Sequence, residues 1–225
     1  NTKEDIRLLV LESQSKFLQK AADYIEFGFE NGKDINVQKV FEDMQYKAST
    51  RSSSIINLET SEDELFKSYT GRARNMVRKS EKLNVSVKKI LPNKEWIEKY
   101  YSMLNDTFTR QGSICPHPLS FFYKLLNLQD SNDILFLEAI KDEEFVAGSI
   151  FLLDRDRMAY FSGTSNFEGM QCAATSALQW HAMLYGINNK FKTYDMGGLG
   201  ISSIDKFKLS FGGEQYWQDR WIYKS

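Results

Sequence analysis

The chain has 225 residues, 42% of them hydrophobic and 14% aromatic, which is enough for one large domain with a sizeable core. Its net charge of −1 gives no global attraction to nucleic acid, so any anion site has to be local. Two cysteines, Cys115 and Cys172, and two histidines, His117 and His181, are spaced unlike any zinc motif, which predicts reduced thiols and no metal site. No apolar run approaches the ~20 residues of a membrane-spanning helix, and no signal peptide is visible, so we expect a cytoplasmic protein.

The N-terminal part of the sequence is predicted to be mostly helical. Apolar residues recur at helical spacing over residues 5–27, and Asn31-Gly32 is expected to end that helix. A second, shorter helix is predicted at 37–44, followed by a serine-rich connection at 49–54 and a short strand at 55–58.

A strongly basic helix is predicted next. Ser61 and Glu64 form a capping box that marks the start of a helix. The outer face of this helix carries six cations against one acid, Glu81; the cations are Lys67, Arg72, Arg74, Arg78, Lys79 and Lys82. Such a surplus is either a solvated face or a grip on phosphates. Arg74 and Arg78 lie one turn apart and are predicted to share one phosphate.

The remaining sequence predicts a mixed α/β domain. The predicted elements are a strand at 83–91, helices at 96–108 and 121–128, strands at 134–140, 145–153 and 158–163, a helix at 169–189, and strands at 192–196 and 216–223. His181 falls on the apolar stripe of the long helix and is expected to be a buried core histidine. Small residues close two successive strands, at 163–165 and at 197–198, which predicts that the sheet splays there and admits a ligand.

The most informative stretch lies near the C-terminus, where YDMGG at 194–198 is followed by KFKLSFGGE at 206–214. Glycines let the backbone take positive φ and approach other groups closely. Phe207 and Phe211 lie four residues apart on one face of a short helix that Gly212-Gly213 ends, while Lys206 and Lys208 point to different sides. Apolar anchors, glycine hinges and one fixed cation suit a ligand-gripping turn, and a plain helix–turn with a surface lysine is the alternative.

These stretches resemble the FemAB-like acyltransferases, a branch of the GNAT superfamily. The C-terminal pair is similar to the family's closing signature, and GRARNMVRKSEK at 71–82 is similar to its basic helix; TFTRQG at 107–112 and VAGSI at 146–150 also fit in order. The resemblance implies a GNAT-like mixed sheet flanked by helices over residues 55–225. It identifies residues 1–54 as the tail of a truncated first GNAT-like half, and an independent helical hairpin is the alternative.

The same resemblance implies an activity and its partners. It predicts transfer of an acyl or aminoacyl group from acyl-CoA or aminoacyl-tRNA, acting as co-substrate without a tightly bound cofactor. The acceptor would be an amine of a bacterial cell-envelope peptide or amino sugar, as in peptidoglycan or polysaccharide synthesis. The expected partners are a small-molecule or lipid-linked precursor, tRNA and a peripheral membrane surface, but not DNA. The stretch at 163–169 lacks the Q-x-x-G-x-G run of ordinary GNAT enzymes, which disfavours acetyl-CoA.

The expected catalytic residues are Lys208, which matches the family's FK…FGG turn, and Asp195, which would hold the amine or orient a tyrosine. The expected donor- and substrate-binding residues are Arg72, Arg74, Arg78, Arg110, Thr164, Ser165, Tyr194, Gly197, Gly198 and Phe207. Two readings compete with this one. The first is a non-catalytic GNAT-like module that binds a polyanion through the basic helix at 67–82, and the second is a nucleic-acid binder without catalysis.

Overall fold

The structure, a computed structural model, describes residues 3–19, 23–29, 35–129 and 131–224. Their elements in chain order are α1 (Lys3–Leu18), β1 (Tyr24–Phe29), α2 (Ile35–Asp43), β2 (Lys47–Asn57), α3 (Glu62–Ser68), α4 (Gly71–Lys82), β3 (Ser86–Ile90), α5 (Lys94–Arg110), α6 (Leu119–Leu125), β4 (Ile134–Lys141), β5 (Glu144–Asp154), β6 (Arg157–Ser165), α7 (Phe167–Gln171), α8 (Ala174–Asn188), β7 (Thr193–Leu199), α9 (Ser202–Leu209) and β8 (Glu214–Lys224). Among these helices, none is both long and apolar enough to cross a bilayer.

The chain forms two compact units. The smaller one comprises residues 1–53, 198–200 and 215–225, and the larger one comprises 54–197 and 201–214. The smaller unit has an aromatic core in which Phe41 stacks on Trp221 with ring centres 5.4 Å apart. The prediction that residues 1–54 are the tail of a truncated first half remains a prediction.

Two predictions for the N-terminal part are wrong. The helix predicted at 5–27 ends at Leu18, because residues 24–29 form β1, which pairs antiparallel with β8 and turns Ile25 and Phe27 toward the aromatic core. The predicted end at Asn31-Gly32 lies outside the described residues. The serine-rich connection at 49–54 is instead part of the continuous strand β2, because the small side chains of Ser52 and Ser54 are readily buried in the middle of a sheet.

The larger unit has the predicted mixed sheet. Its strand order is β2-β7-β6-β5-β4-β3, with antiparallel pairing from β3 to β6 and parallel pairing between β6 and β7. Alternate side chains enter two different apolar clusters: Phe136 and Ile150 pack with α5 and α6, whereas Leu135 and Phe151 pack with α4 and α8. The mixed α/β fold predicted from the sequence, including the three-stranded meander β4–β6, is therefore confirmed.

Two helices predicted as continuous are each broken. The capping box at Ser61 is confirmed, but it begins only α3, because Tyr69 and Thr70 are extended and the Thr70 hydroxyl caps the basic helix α4 as a separate element. The long helix is divided into α7 and α8 at Ala173, whose φ is +58°. His181 lies midway along α8 and is exposed, so the prediction of a buried histidine is wrong.

The contact between α8 and the sheet predicts a stability effect at Gly186. A Cβ added there would lie 2.5 Å from Leu58 Cδ1 and 2.8 Å from Met158 Sδ, and both side chains are buried. Overpacking costs about 1–3 kcal/mol, which exceeds the gain of about 1 kcal/mol in helix propensity. We therefore expect Gly186→Ala to lower the free energy of unfolding by on the order of 1 kcal/mol, measured by urea titration.

Gly71→Ala is the control, because Gly71 also lies in a helix, as the first residue of α4, but a Cβ there would meet nothing within 4 Å. We expect this control to leave the free energy of unfolding unchanged or to raise it. Equal effects of the two substitutions would contradict the close packing of α8 against the sheet.

Candidate active site

The parallel ladder between β6 and β7 ends after three residue pairs. The pairs are Arg157 with Thr193, Met158 with Tyr194, and Ala159 with Asp195. Both strands continue beyond this point, β6 to Ser165 and β7 to Leu199. The two strands therefore open where the glycines and small polar residues of the sequence predicted a splay.

A β-bulge accompanies the opening. The register between β5 and β6 shifts between Ile150 and Phe151, so that Phe161 is an extra residue on β6. A bulge bends its strand and increases the local twist while the flanking pairs are kept. Here it lets β6 stay paired with β5 while it leaves β7.

Lys208 reaches this opening from α9. A Cβ added to Gly197 would lie 3.4 Å from Lys208 Nζ and 3.6 Å from the backbone oxygen of Tyr160. Gly197 has a φ of +82°, which a residue with a side chain rarely adopts. The ammonium group therefore lies beside the backbone of β7 where β7 departs from β6, in space that a side chain on Gly197 would restrict.

Asp195 belongs to the last pair of the ladder and is held from two sides. Its Oδ2 accepts a hydrogen bond of 2.6 Å from Arg157 Nη2, and its Oδ1 accepts one of 2.7 Å from the backbone N–H of Gly197. The Asp195 side chain is only 14% exposed. Both carboxylate oxygens thus have protein partners, and the group fixes the turn that contains Gly197.

A cavity of about 740 Å³ lies on the side of the sheet that carries α4, α8 and α9. This volume is within the range of small-molecule sites. The cavity is lined by two cations, Arg72 and Lys206, and by apolar and hydroxyl-bearing residues. These others include Thr70, Met76, Met170, Thr175, Ser176, Ser202, Phe207, Ser210 and Phe211.

The start of α8 also lies in the cavity wall. Ala173 precedes the first turn of this helix and gives it no side-chain cap. Free N–H groups at a helix start favour a phosphate or another anion.

Residues 67–217, more than half of the chain, match the family of acetyltransferase (GNAT) domains. The chain belongs to this family. It is therefore an acyltransferase, and the predicted resemblance is confirmed at the level of family and fold. No curated protein sequence is significantly similar to this GNAT domain.

Solved structures share the fold of this GNAT domain at low sequence identity. FemX superposes with a TM-score of 0.75 at 15% identity, over 94% of this chain and 76% of FemX. L-PGS from Bacillus licheniformis gives 0.64 at 12% identity, over 97% of this chain and 73% of L-PGS. The glucosamine N-acetyltransferase region of a fungal multi-domain GH3 β-N-acetylglucosaminidase gives 0.58 at 14%, over 96% of this chain and 27% of that protein.

The arginines of the basic helix have different surroundings. Arg72 lines the cavity of the GNAT domain. The Arg74 guanidinium donates hydrogen bonds to the backbone oxygens of Lys67 and Tyr69, and the Arg78 guanidinium lies 5.3 Å from the centre of the Phe66 ring. Arg74 and Arg78 thus both have protein partners, and phosphate binding by the basic helix remains a prediction.

Three other predicted site residues lie together at the end of β6. Thr107 Oγ1 is 2.8 Å from Thr164 Oγ1, and Arg110 Nη2 donates to Thr107 Oγ1 and to the backbone oxygen of Ser165. Thr164 and Ser165 are buried. Arg110 therefore ties the end of α5 to the end of β6.

Tyr194 and Gly198 have structural surroundings as well. Tyr194 is buried, and its hydroxyl donates a hydrogen bond to Gln179 on α8. Burial raises the pKa of Tyr194 well above its usual value, so the phenol stays protonated. Gly198 lies in the smaller unit, where a Cβ would come within 2.7 Å of Arg51 Nη2, so the glycine leaves room for that guanidinium.

The cavity face of α9 is a feature that was not predicted from the sequence. Ser202, Lys206 and Ser210 are spaced four residues apart, so they share one side of the helix, and all three line the cavity. That four-residue spacing could have been used to predict a polar face of the helix. The break at Ala173, which brings the start of α8 into the cavity wall, follows a run of small residues that is also compatible with an unbroken helix.

The cavity predicts an anion-binding test. Reversing both cations, Arg72→Glu with Lys206→Glu, should weaken binding of coenzyme A or uncharged tRNA at least about tenfold, because hydrogen bonds to charged groups contribute about 1.5–3 kcal/mol each. The slope of log affinity against log salt should also flatten. Calorimetric titration at several salt concentrations measures both quantities.

The matched control reverses two exposed lysines outside the cavity lining, Lys88→Glu with Lys124→Glu, and thus changes the net charge equally. An equal loss of affinity in both double variants would show a response to net charge rather than a site in the cavity.

Proposed function

We propose that this GNAT domain transfers an acyl or aminoacyl group from an activated donor to an amine of a cell-envelope peptide or amino-sugar precursor. The observation that carries the proposal is the Lys208 ammonium at the opening between β6 and β7, on the helix that also lines the cavity. The fold shared with FemX and L-PGS supports a donor of the aminoacyl-tRNA or acyl thioester class.

The donor binds in the cavity by its phosphate-bearing part. Arg72, Lys206 and the uncapped start of α8 supply positive charge and N–H groups, and Met76, Met170 and Phe207 supply apolar surface. The absence of a Q-x-x-G-x-G run at 163–169 favours aminoacyl-tRNA over acetyl-CoA. In this proposal the acyl carbon passes from the cavity to the opening beside α9, the helix that carries both Lys206 and Lys208.

The reaction needs alignment and charge stabilisation more than side-chain chemistry. The neutral amine of the acceptor attacks the acyl carbon, and a new C–N bond forms as negative charge develops on the carbonyl oxygen. Lys208 and backbone N–H groups at the opening stabilise that oxyanion. The C–O or C–S bond to the donor then breaks, and the proton released by the amine balances the charge of the departing alkoxide or thiolate.

The proposal also includes the class of acceptor and the place where the reaction occurs. The acceptor is a small-molecule or lipid-linked envelope precursor, reached from the cytoplasm with peripheral membrane contact. No cofactor is retained between turnovers, because the donor is itself a co-substrate.

A direct assay decides between the donors. Acceptor pools from a bacterial envelope extract are incubated with the protein and either charged tRNA or acyl-CoA, and new mass increments are recorded. We expect an increment equal to the aminoacyl residue with charged tRNA. An increment only with acyl-CoA would replace the donor, and no increment with either would refute transfer to envelope amines.

The two lysines of α9 should differ in kinetics. Lys208→Met should lower the single-turnover rate by on the order of 10²–10³, the loss seen on removing one oxyanion donor. Lys206→Met should instead raise the donor concentration needed for half-maximal rate, because Lys206 lines the cavity. The thermal midpoint of Lys206→Met should stay close to that of the wild type, because Lys206 is exposed and exposed substitutions usually change stability by less than about 0.5 kcal/mol; the midpoint of the half-buried Lys208→Met is measured beside it. Equal kinetic defects in both variants would remove Lys208 from the transition state.

A further inference from the structure

We propose that Arg157 is a positioning residue for Lys208. Through its ion pair with Asp195, Arg157 fixes the Gly197 turn against which the Lys208 ammonium lies. The proposal deepens the acyl-transfer function and, for its kinetic part, rests on it.

Arg157 lies at the start of the β6–β7 ladder, within reach of the neighbouring strand. Arg157 begins β6, forms the first pair of the short parallel ladder, and reaches Asp195 in the third pair, on the neighbouring strand. The Nη2–Oδ2 distance of 2.6 Å is that of a charge-assisted hydrogen bond. The ion pair therefore spans the rungs of the ladder that precede the opening.

The Asp195 carboxylate links Arg157 to the Gly197 turn. Asp195 accepts from Arg157 on Oδ2 and from the Gly197 N–H on Oδ1, so one rigid planar group joins a guanidinium to the backbone two residues further along β7. Holding both oxygens fixes the rotation of the carboxylate. This in turn holds Gly197 at its φ of +82°.

The Gly197 turn lies next to the ammonium group of Lys208. The Cβ position of Gly197 is 3.4 Å from Lys208 Nζ, so a shift of this turn changes the space available to Nζ. A displacement of about 1 Å in an active site can cost 10²-fold in rate. Arg157 is thus connected to the reacting region through two hydrogen bonds and the close approach of Lys208 Nζ to Gly197.

Another ion pair lies at the start of the β6–β7 ladder, before the first of its residue pairs. Lys192 Nζ pairs with Asp156 Oδ2 at 2.9 Å, at the same end of the β6–β7 ladder. Arg155 is exposed and precedes the ladder. Among the described residues, Arg157 is therefore the cation that contacts Asp195.

The exposure of the Arg157 side chain allows its effect on the reaction to be distinguished from an effect on folding stability. The side chain of Arg157 is 43% exposed and that of Asp195 is 14% exposed, so water screens the guanidinium, and Gln at position 157 keeps an N–H donor for the carboxylate. Replacing Arg157 should therefore change the reaction far more than it changes the thermal midpoint. A residue that merely stabilised the sheet would affect both together.

The experiment compares Arg157→Gln, Arg157→Lys, Asp195→Asn and the control Arg155→Gln, an arginine two residues earlier. We expect Arg157→Gln and Asp195→Asn to lower the single-turnover rate at saturating donor at least about tenfold. Arg157→Lys should recover part of the rate, and Arg155→Gln should behave as the wild type. Combining Arg157→Gln with Lys208→Met should give no slower transfer than Lys208→Met alone, because both act on one group.

A second measurement does not need enzymatic activity. The rate at which acetic anhydride labels each lysine is followed by peptide mass spectrometry, with Lys206 as internal reference on the same helix. We expect the labelling rate of Lys208 relative to Lys206 to change in Arg157→Gln and Asp195→Asn but not in Arg155→Gln. If the wild type transferred no acyl group, the proposed function would fail, and this labelling would still decide whether Arg157 positions Lys208.

Three results would overturn the proposal. One is wild-type transfer and labelling in Arg157→Gln. Another is a double variant slowed by the product of the two single effects. The third is a rate loss that follows the thermal midpoint across the series. If Arg157→Gln did not fold, Asp195→Asn, which keeps an acceptor for the Gly197 N–H, would decide by the same labelling ratio.

Discussion

The early end of the parallel ladder between β6 and β7 is the constraint on which the candidate active site depends. Backbone groups of two strands that stay adjacent normally pair, and leaving them unpaired has a cost unless water or a ligand replaces the partner. Here the pairing stops after Ala159 and Asp195, while a bulge at Phe161 lets β6 remain in the sheet through β5. Because β6 stays paired with β5 on the side away from the opening, the opening has a defined shape and is not a frayed edge.

The helix α9 connects this opening to the cavity, and core packing sets its position. Phe211, just beyond its end, is fully buried and meets the Tyr69 ring at a centre distance of 5.1 Å. The backbone N–H of Thr70, at the start of the basic helix, donates to the Ser210 oxygen. The buried Phe211 and this backbone hydrogen bond thus fix the position of α9, and with it the directions of both lysines. Lys206 and Lys208 are two residues apart on the helix and therefore point in different directions. Fold stability and site geometry are therefore coupled at Phe211.

Sequence patterns predicted those strands and helix ends that depend on residues close together in the chain. Alternating apolar residues identified β4, β5 and β6, and the capping box identified the start of α3. The breaks at Thr70 and Ala173, and the strand β1 within an apparently helical run, depend on tertiary contacts that override local preference. At the site, glycines and phenylalanine spacing pointed to Gly197 and Lys208. The Arg157–Asp195 pair joins residues 38 positions apart, and no spacing rule indicates such a contact.

The tyrosines around the opening clarify which groups can exchange protons. Burial raises the pKa of Tyr160 to about 12, and it raises that of Tyr194 well above the usual value. Both phenols therefore stay protonated at neutral pH, so they can donate hydrogen bonds but are poor bases there. The amine of the acceptor then reaches the opening in its neutral form through its own equilibrium with water. In the proposed reaction the rate would rise with pH up to the pKa of the bound acceptor amine, and Lys208 would contribute a positive charge rather than a proton transfer.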